Sequence, residues 1–105
     1  MKKYIITVGL NDKDSKKQKH FTSYYYKQIY KALEYLAIDG ATLTESKGYY
    51  VHDDGGRVKE KSINIEFMFI EESTVRMLAK LLLKKFNQES VVLAEQEINS
   101  NLYKG

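Results

Sequence analysis

Hydrophobic positions along this chain switch between a period of two and a period of three to four. In Arg57–Ile70, RVKEKSINIEFMFI, Ile63, Ile65, Phe67 and Phe69 alternate with Ser62, Asn64, Glu66 and Met68. That alternation predicts a strand with one apolar face and one mostly polar face. Lys3–Leu10 repeats the pattern, with Tyr4, Ile6, Val8 and Leu10 on one side and Lys3, Ile5 and Thr7 on the other. Ala41–His52 and Ser90–Ile98 read as two further strands, with Gly48 marking a bulge or kink in the first of them. Asp53-Asp54-Gly55-Gly56 supplies the hairpin turn between the second and third strands, because Asp-Gly and Gly-Gly accept the positive φ that such turns need.

The helical period predicts a helix over Phe21–Asp39, with Phe21, Tyr25, Ile29, Ala32, Leu33 and Leu36 as its core stripe. Thr22 or Ser23 would cap its start and Gly40 would close its end. Tyr26 and Tyr30 lie off that stripe, so they serve either a protein interface or packing along a neighbouring helix. A second helix is predicted over Glu71–Phe86, capped by Ser73 or Thr74. Its stripe is Val75, Leu78, Ala79, Leu82 and Phe86, with Met77 and Leu81 pointing elsewhere. Acids at its start and Lys84 and Lys85 at its end suit the helix dipole.

Strand, helix, strand, strand, helix, strand is the order of a ferredoxin-like α+β domain. Residues 1–105 are read as one such domain, a four-stranded antiparallel sheet with both helices on one face. The other face is left open. Met68 and the acids Glu60 and Glu66 are expected there, joined by Val91, Leu93, Glu95 and Glu97 from the last strand if Val92, Ala94 and Ile98 face inward. Carboxylates on that face would repel phosphates, and KEKSINIEFMFI lacks the glycines of an RNA-binding central strand, so nucleic acid is not the expected partner. Apolar side chains among the acids point instead to a protein partner, host or self, with a homodimer through the open face as one form of it.

Charge is unevenly spread. The net charge is +3, but residues 1–31 hold eight Lys against two Asp. The loop NDKDSKKQKH carries Lys13, Lys16, Lys17 and Lys19, which form either an electrostatic handle or a solvated surface. A nucleic-acid-binding role for this loop, residues 11–20, is the alternative reading. There is no Cys, which excludes disulfides and a thiol nucleophile, and no apolar run long enough for a membrane span, so a soluble cytoplasmic protein is expected. His52-Asp53-Asp54 could be drawn as an acid–base or metal cluster, but consecutive turn residues diverge and Asp has a local structural role in turns. No nucleotide-loop, hydrolase or zinc motif is present, so the sequence reads as non-enzymatic, with no cofactor and no metal.

Three runs carry a resemblance: VGLNDKD at Val8–Asp14, TLTESKGYYVHDDGG at Thr42–Gly56 and FNQESV at Phe86–Val91. Together they resemble a group of small ferredoxin-like proteins from phages and conjugative elements of Gram-positive bacteria. The resemblance implies a mobile-element setting and, by association, an inhibitor of host defence such as an anti-CRISPR protein. Partner contact is then expected through Lys13, Lys16, Lys17, Lys19, Tyr26, Tyr30, Glu66, Met68, Glu95 and Glu97.

Overall fold

The structure is a computed structural model that describes residues 1–51, 54–99, 101 and 103. It has the expected order: β1 (Lys2–Gly9), α1 (Thr22–Tyr35), β2 (Thr42–Val51), β3 (Arg57–Phe67), α2 (Glu72–Lys85) and β4 (Val92–Glu97). The four strands form one antiparallel sheet in the order β2-β3-β1-β4. Tyr4, Ile6 and Val8 of β1 lie beside Phe67, Ile65 and Ile63 of β3, so the two alternating patterns meet on one face. Tyr25, Ile29, Ala32 and Leu33 of α1 and Val75, Leu78 and Leu82 of α2 cover that face. The fold is ferredoxin-like.

Both helices end alike. Leu36 caps α1, Ala37 takes a left-handed φ of 53°, and Ile38 N–H donates to the Leu33 carbonyl at 2.9 Å. Phe86 caps α2, Asn87 takes a φ of 49°, and Gln88 N–H donates to the Leu83 carbonyl at 2.9 Å. These are Schellman closures. The first stops α1 before Asp39, so Gly40 is not its C′ residue. Neither helix start has a side-chain cap: the extended residues there are Phe21 and Glu71, not the expected Ser or Thr. Phe21 therefore stands outside the first turn and is 88% exposed instead of joining the core.

Three further expectations are corrected. β2 pairs with β3 without interruption, Gly48 opposite Glu60, so there is no bulge. β3 stops at Phe67, because the chain must leave the sheet to start α2 at Glu72; Phe69 turns out at a φ of 59° and is exposed. In β4, Val92 and Ala94 pair with Thr7 and Ile5, so they face the open side. Leu93, Glu95 and Glu97 pair with Ile6, Tyr4 and Lys2 on the helix side. A strand slipped by one residue exchanges its faces, and that is the difference here. His52 and Asp53 lie outside the described residues, and with them the acid–base cluster and part of the hairpin turn. Among the described residues, no helix is long and apolar enough to cross a membrane.

Candidate functional site

The open sheet face has a polar centre. Thr7 Oγ1 donates to Asn64 Oδ1 at 2.7 Å, and Asn64 Nδ2 donates to Ser46 Oγ at 3.1 Å, which links β1, β3 and β2. Beyond this ladder, toward the loop after β1, the face sinks into a cleft of about 550 Å³. Pockets that hold small ligands are of this order, roughly 300–1,000 Å³. Glu60 of β3 stands on its floor, and the two strands beside it carry glycines at the facing positions, Gly48 directly opposite and Gly9 on the diagonal.

The Glu60 carboxylate fills the space of a Gly9 side chain, since a Cβ built there would meet Oε2 at 2.5 Å. Oε2 also accepts the Asn11 N–H at 2.9 Å. Tyr50 lines the same cleft from β2, with Ser62, Glu89 and Ser90 around it. Burial, and then the Glu60 and Glu89 carboxylates, push the Tyr50 phenol above its ordinary value. A phenol so shifted stays protonated at neutral pH and remains a hydrogen-bond donor.

One wall is the loop after β1. Asp12 is buried and accepts the N–H groups of Asp14 at 3.0 Å and Ser15 at 2.9 Å. Its other oxygen takes Asn87 Nδ2 at 2.8 Å, with Lys19 Nζ at 3.5 Å. The left-handed turn that ends α2 presents Asn87 to this loop, and Gln88 Nε2 donates to the Asn11 carbonyl at 2.7 Å. The Ser15 N–H first, and then Asn87, hold the Asp12 carboxyl well below the usual carboxylate range. A depressed folded-state value contributes stability that is full above the ordinary value of 3.8 and is lost as pH falls toward the folded one. Urea midpoints of the wild-type protein should therefore fall between about pH 5 and pH 2, and Asp12→Asn should flatten that fall while lowering the midpoint at neutral pH.

The expected contact residues do not come together. Lys13 and Lys16 line the cleft, Lys17 is exposed on the turn, and Lys19 leans on Asp12. Tyr26 is half-buried against the core and its hydroxyl is raised, by burial first and by Glu45 second; Tyr30 is exposed with its ring centre 6.4 Å from that of Tyr26. Glu66 is on the open face and pairs with Lys3 at 3.3 Å, and Met68 is exposed just past β3. Glu95 pairs with Lys2 at 3.5 Å and Glu97 with the Met1 amino group at 3.1 Å, both on the helix side. The face expected to carry a homodimer is the face that holds the cleft. Glu60, expected on that face, and Tyr50, placed there by the pairing of β2 with β3, are functional candidates that sequence reasoning passed over. The available signal was the pair of glycines flanking a carboxylate, which becomes visible only in the correct register.

A wider groove of about 760 Å³ opens at the start of α1, beside His20 and Tyr24, whose ring centres are 4.0 Å apart. Lys19, Lys27 and Lys61 line it, with no carboxylate among its lining residues. These two depressions thus differ in sign, and of the two a cation is better suited to the one around Glu60.

No protein-family model matches the chain, and no curated protein sequence matches it. Solved structures do. A phage SAM lyase in its apo state is 25% identical with a TM-score of 0.74, over 98% of this chain and 92% of that one. A phage SAM lyase in complex with S-methyl-5′-thioadenosine is 26% identical with a TM-score of 0.71, over 91% of this chain and 80% of that one. CutA1 from Pyrococcus horikoshii, 16% identical with a TM-score of 0.55 over 94% of this chain and 86% of that one, shares the fold. These likenesses support the phage part of the sequence expectation; a Gram-positive source and CRISPR inhibition have no counterpart in them. They also correct the non-enzymatic reading, because the chain is similar over nearly its whole length to a phage enzyme.

Proposed function

We propose that this chain cleaves S-adenosylmethionine, releasing S-methyl-5′-thioadenosine, in the cleft around Glu60. The observation that carries the reading is the whole-chain likeness to phage SAM lyase, one form of which holds that thioether. The anchored carboxylate in the cleft supports it from the side of geometry.

The chemistry asks little of the protein. In a lyase reaction without water, the substrate's own α-carboxylate oxygen attacks its γ-carbon. The carbon–sulfur bond breaks, its electron pair goes to sulfur, and the positive sulfonium becomes a neutral thioether. The remaining four carbons close as a lactone that keeps its ammonium group, so atoms and charge balance. Opposite charges merge in this step, and a site that strips water from them favours it. The protein's task is to fold the substrate into an attack-ready shape. Glu60, held by Asn11, offers an acceptor to the ammonium group that persists from substrate to product. The Tyr50 ring suits a sulfonium and its hydroxyl can donate. Lys13 and Lys16 offer the α-carboxylate a counter-charge that orients it.

Purified protein incubated with S-adenosylmethionine should release S-methyl-5′-thioadenosine and homoserine lactone in equal amounts, followed by chromatography with mass detection. Release no faster than in a protein-free control overturns the reading. Tyr50→Phe should lower kcat/KM about fivefold, the worth of one net hydrogen bond. The host-defence expectation then takes a chemical form: a chain that consumes S-adenosylmethionine would remove the methyl donor from host methyl-transfer enzymes.

A further inference from the structure

We propose that Gly9, the Asn11 peptide and Gln88 form a clamp that positions the Glu60 carboxylate to receive the ammonium end of the substrate; the purpose assigned to the clamp rests on the lyase reading above. A glutamate side chain is long, and holding it in one rotamer costs conformational entropy. A site that binds a cation through such a group gains when the ordering is done beforehand.

Three features do that here. The first is space: all three terminal atoms of Glu60 lie 2.5–2.6 Å from where a Gly9 Cβ would be, so the carboxylate lies over bare backbone. The second is a donor: the Asn11 N–H holds Oε2 at 2.9 Å, which leaves Oε1 open to a ligand among the described residues. The third is an anchor for that donor. Gln88 Nε2 holds the Asn11 carbonyl at 2.7 Å, and Lys13 N–H donates to the Asn87 carbonyl at 3.0 Å. The segment after α2 therefore holds the residue whose N–H holds Glu60, through that residue's carbonyl in the next peptide group. None of these groups is a catalytic residue; they act through Glu60.

The clamp separates function from stability in a testable way. Gly9 sits in a regular strand, where alanine is at least as well accommodated as glycine. What the added methyl meets is the movable end of a side chain, so Gly9→Ala should fold and displace the carboxylate. The ammonium is bound alike in substrate and transition state, so the loss should fall on KM, by about tenfold or more, with kcat less affected. The deciding measurement is independent of turnover. In the wild-type protein the Asn11 amide should be protected from hydrogen exchange by its bond to Glu60, and Glu60→Ala should remove that protection. Gly9→Ala should also remove it, while an exposed control, Met77→Ser, keeps it. Gln88→Ala gives the same reading should the glycine variant fail to fold. An Asn11 amide whose protection survives Glu60→Ala, or is unchanged in Gly9→Ala and Gln88→Ala, overturns the clamp. An amide that behaves as expected in a protein that releases no thioether leaves the clamp standing and removes the lyase reading.

Discussion

Glu60→Gln is expected to lower kcat/KM for S-methyl-5′-thioadenosine release by roughly 10- to 100-fold, the worth of a hydrogen bond to a charged group. The substitution removes charge and little else. Glutamine has the same length, its amide oxygen can still accept the Asn11 N–H, and the bare surface over Gly9 still accommodates it. Melting temperature should therefore stay within a few degrees of wild type. What the variant loses is the counter-charge for a substrate with two cationic centres, sulfonium and ammonium. Glu89 lines the same cleft but lies exposed at its edge, where water screens it, so it should not compensate. Glu95→Gln, on the helix side, is the matched control and should keep wild-type rates. Equal kcat/KM in Glu60→Gln and wild type would show that the cleft does not bind the substrate through this carboxylate.

Why Glu60 was passed over, when the strand carrying it was the clearest in the chain, is a matter of register. The alternation of β1 and β3 is strong because both strands are central and pack one face against two helices. Such strands announce themselves. Gly48 read alone suggests a bulge, and a bulge would shift every partner after it. The uninterrupted pairing of β2 with β3 puts Gly48 opposite Glu60, and the register of β1 with β3 puts Gly9 beside it, which turns an ordinary surface carboxylate into a seated one. β4 failed for a related reason. Val91-Val92-Leu93-Ala94 is apolar on both sides, so its pattern does not choose a face; pairing with β1 does. The Lys-rich loop was read by its charges, whereas its organising residue is the buried Asp12, held by Asn87 from the far end of α2. A long-range polar contact of that kind leaves no periodic trace. The end of α1 was missed because Ala37 takes the left-handed conformation that Gly40 was expected to supply.

Phe67 and Phe69 put the same lesson to a quantitative test. In the sequence they are equivalent, two aromatics in one alternating line. In the structure Phe67 is 1% exposed in the middle of the core and Phe69 is 56% exposed beyond the end of the strand. Phe67→Ala should cost about 3–5 kcal/mol, the transfer free energy of the ring plus that of the cavity it leaves. Phe67 pairs with Tyr4 across β1, and its rigid sheet neighbours limit collapse into that space. A domain of this size has a total stability of about 5–15 kcal/mol, so the variant should unfold at a much lower urea concentration and melt at least ~12 °C below wild type. Phe69→Ala should change stability by no more than about 0.5 kcal/mol, as exposed substitutions do. Urea unfolding of the two variants side by side measures the difference directly. A large loss at Phe69 would mean that β3 runs on past Phe67 and carries Phe69 into the core, whereas a negligible loss at Phe67 would contradict the pairing of β1 with β3 on which the Glu60 cleft depends.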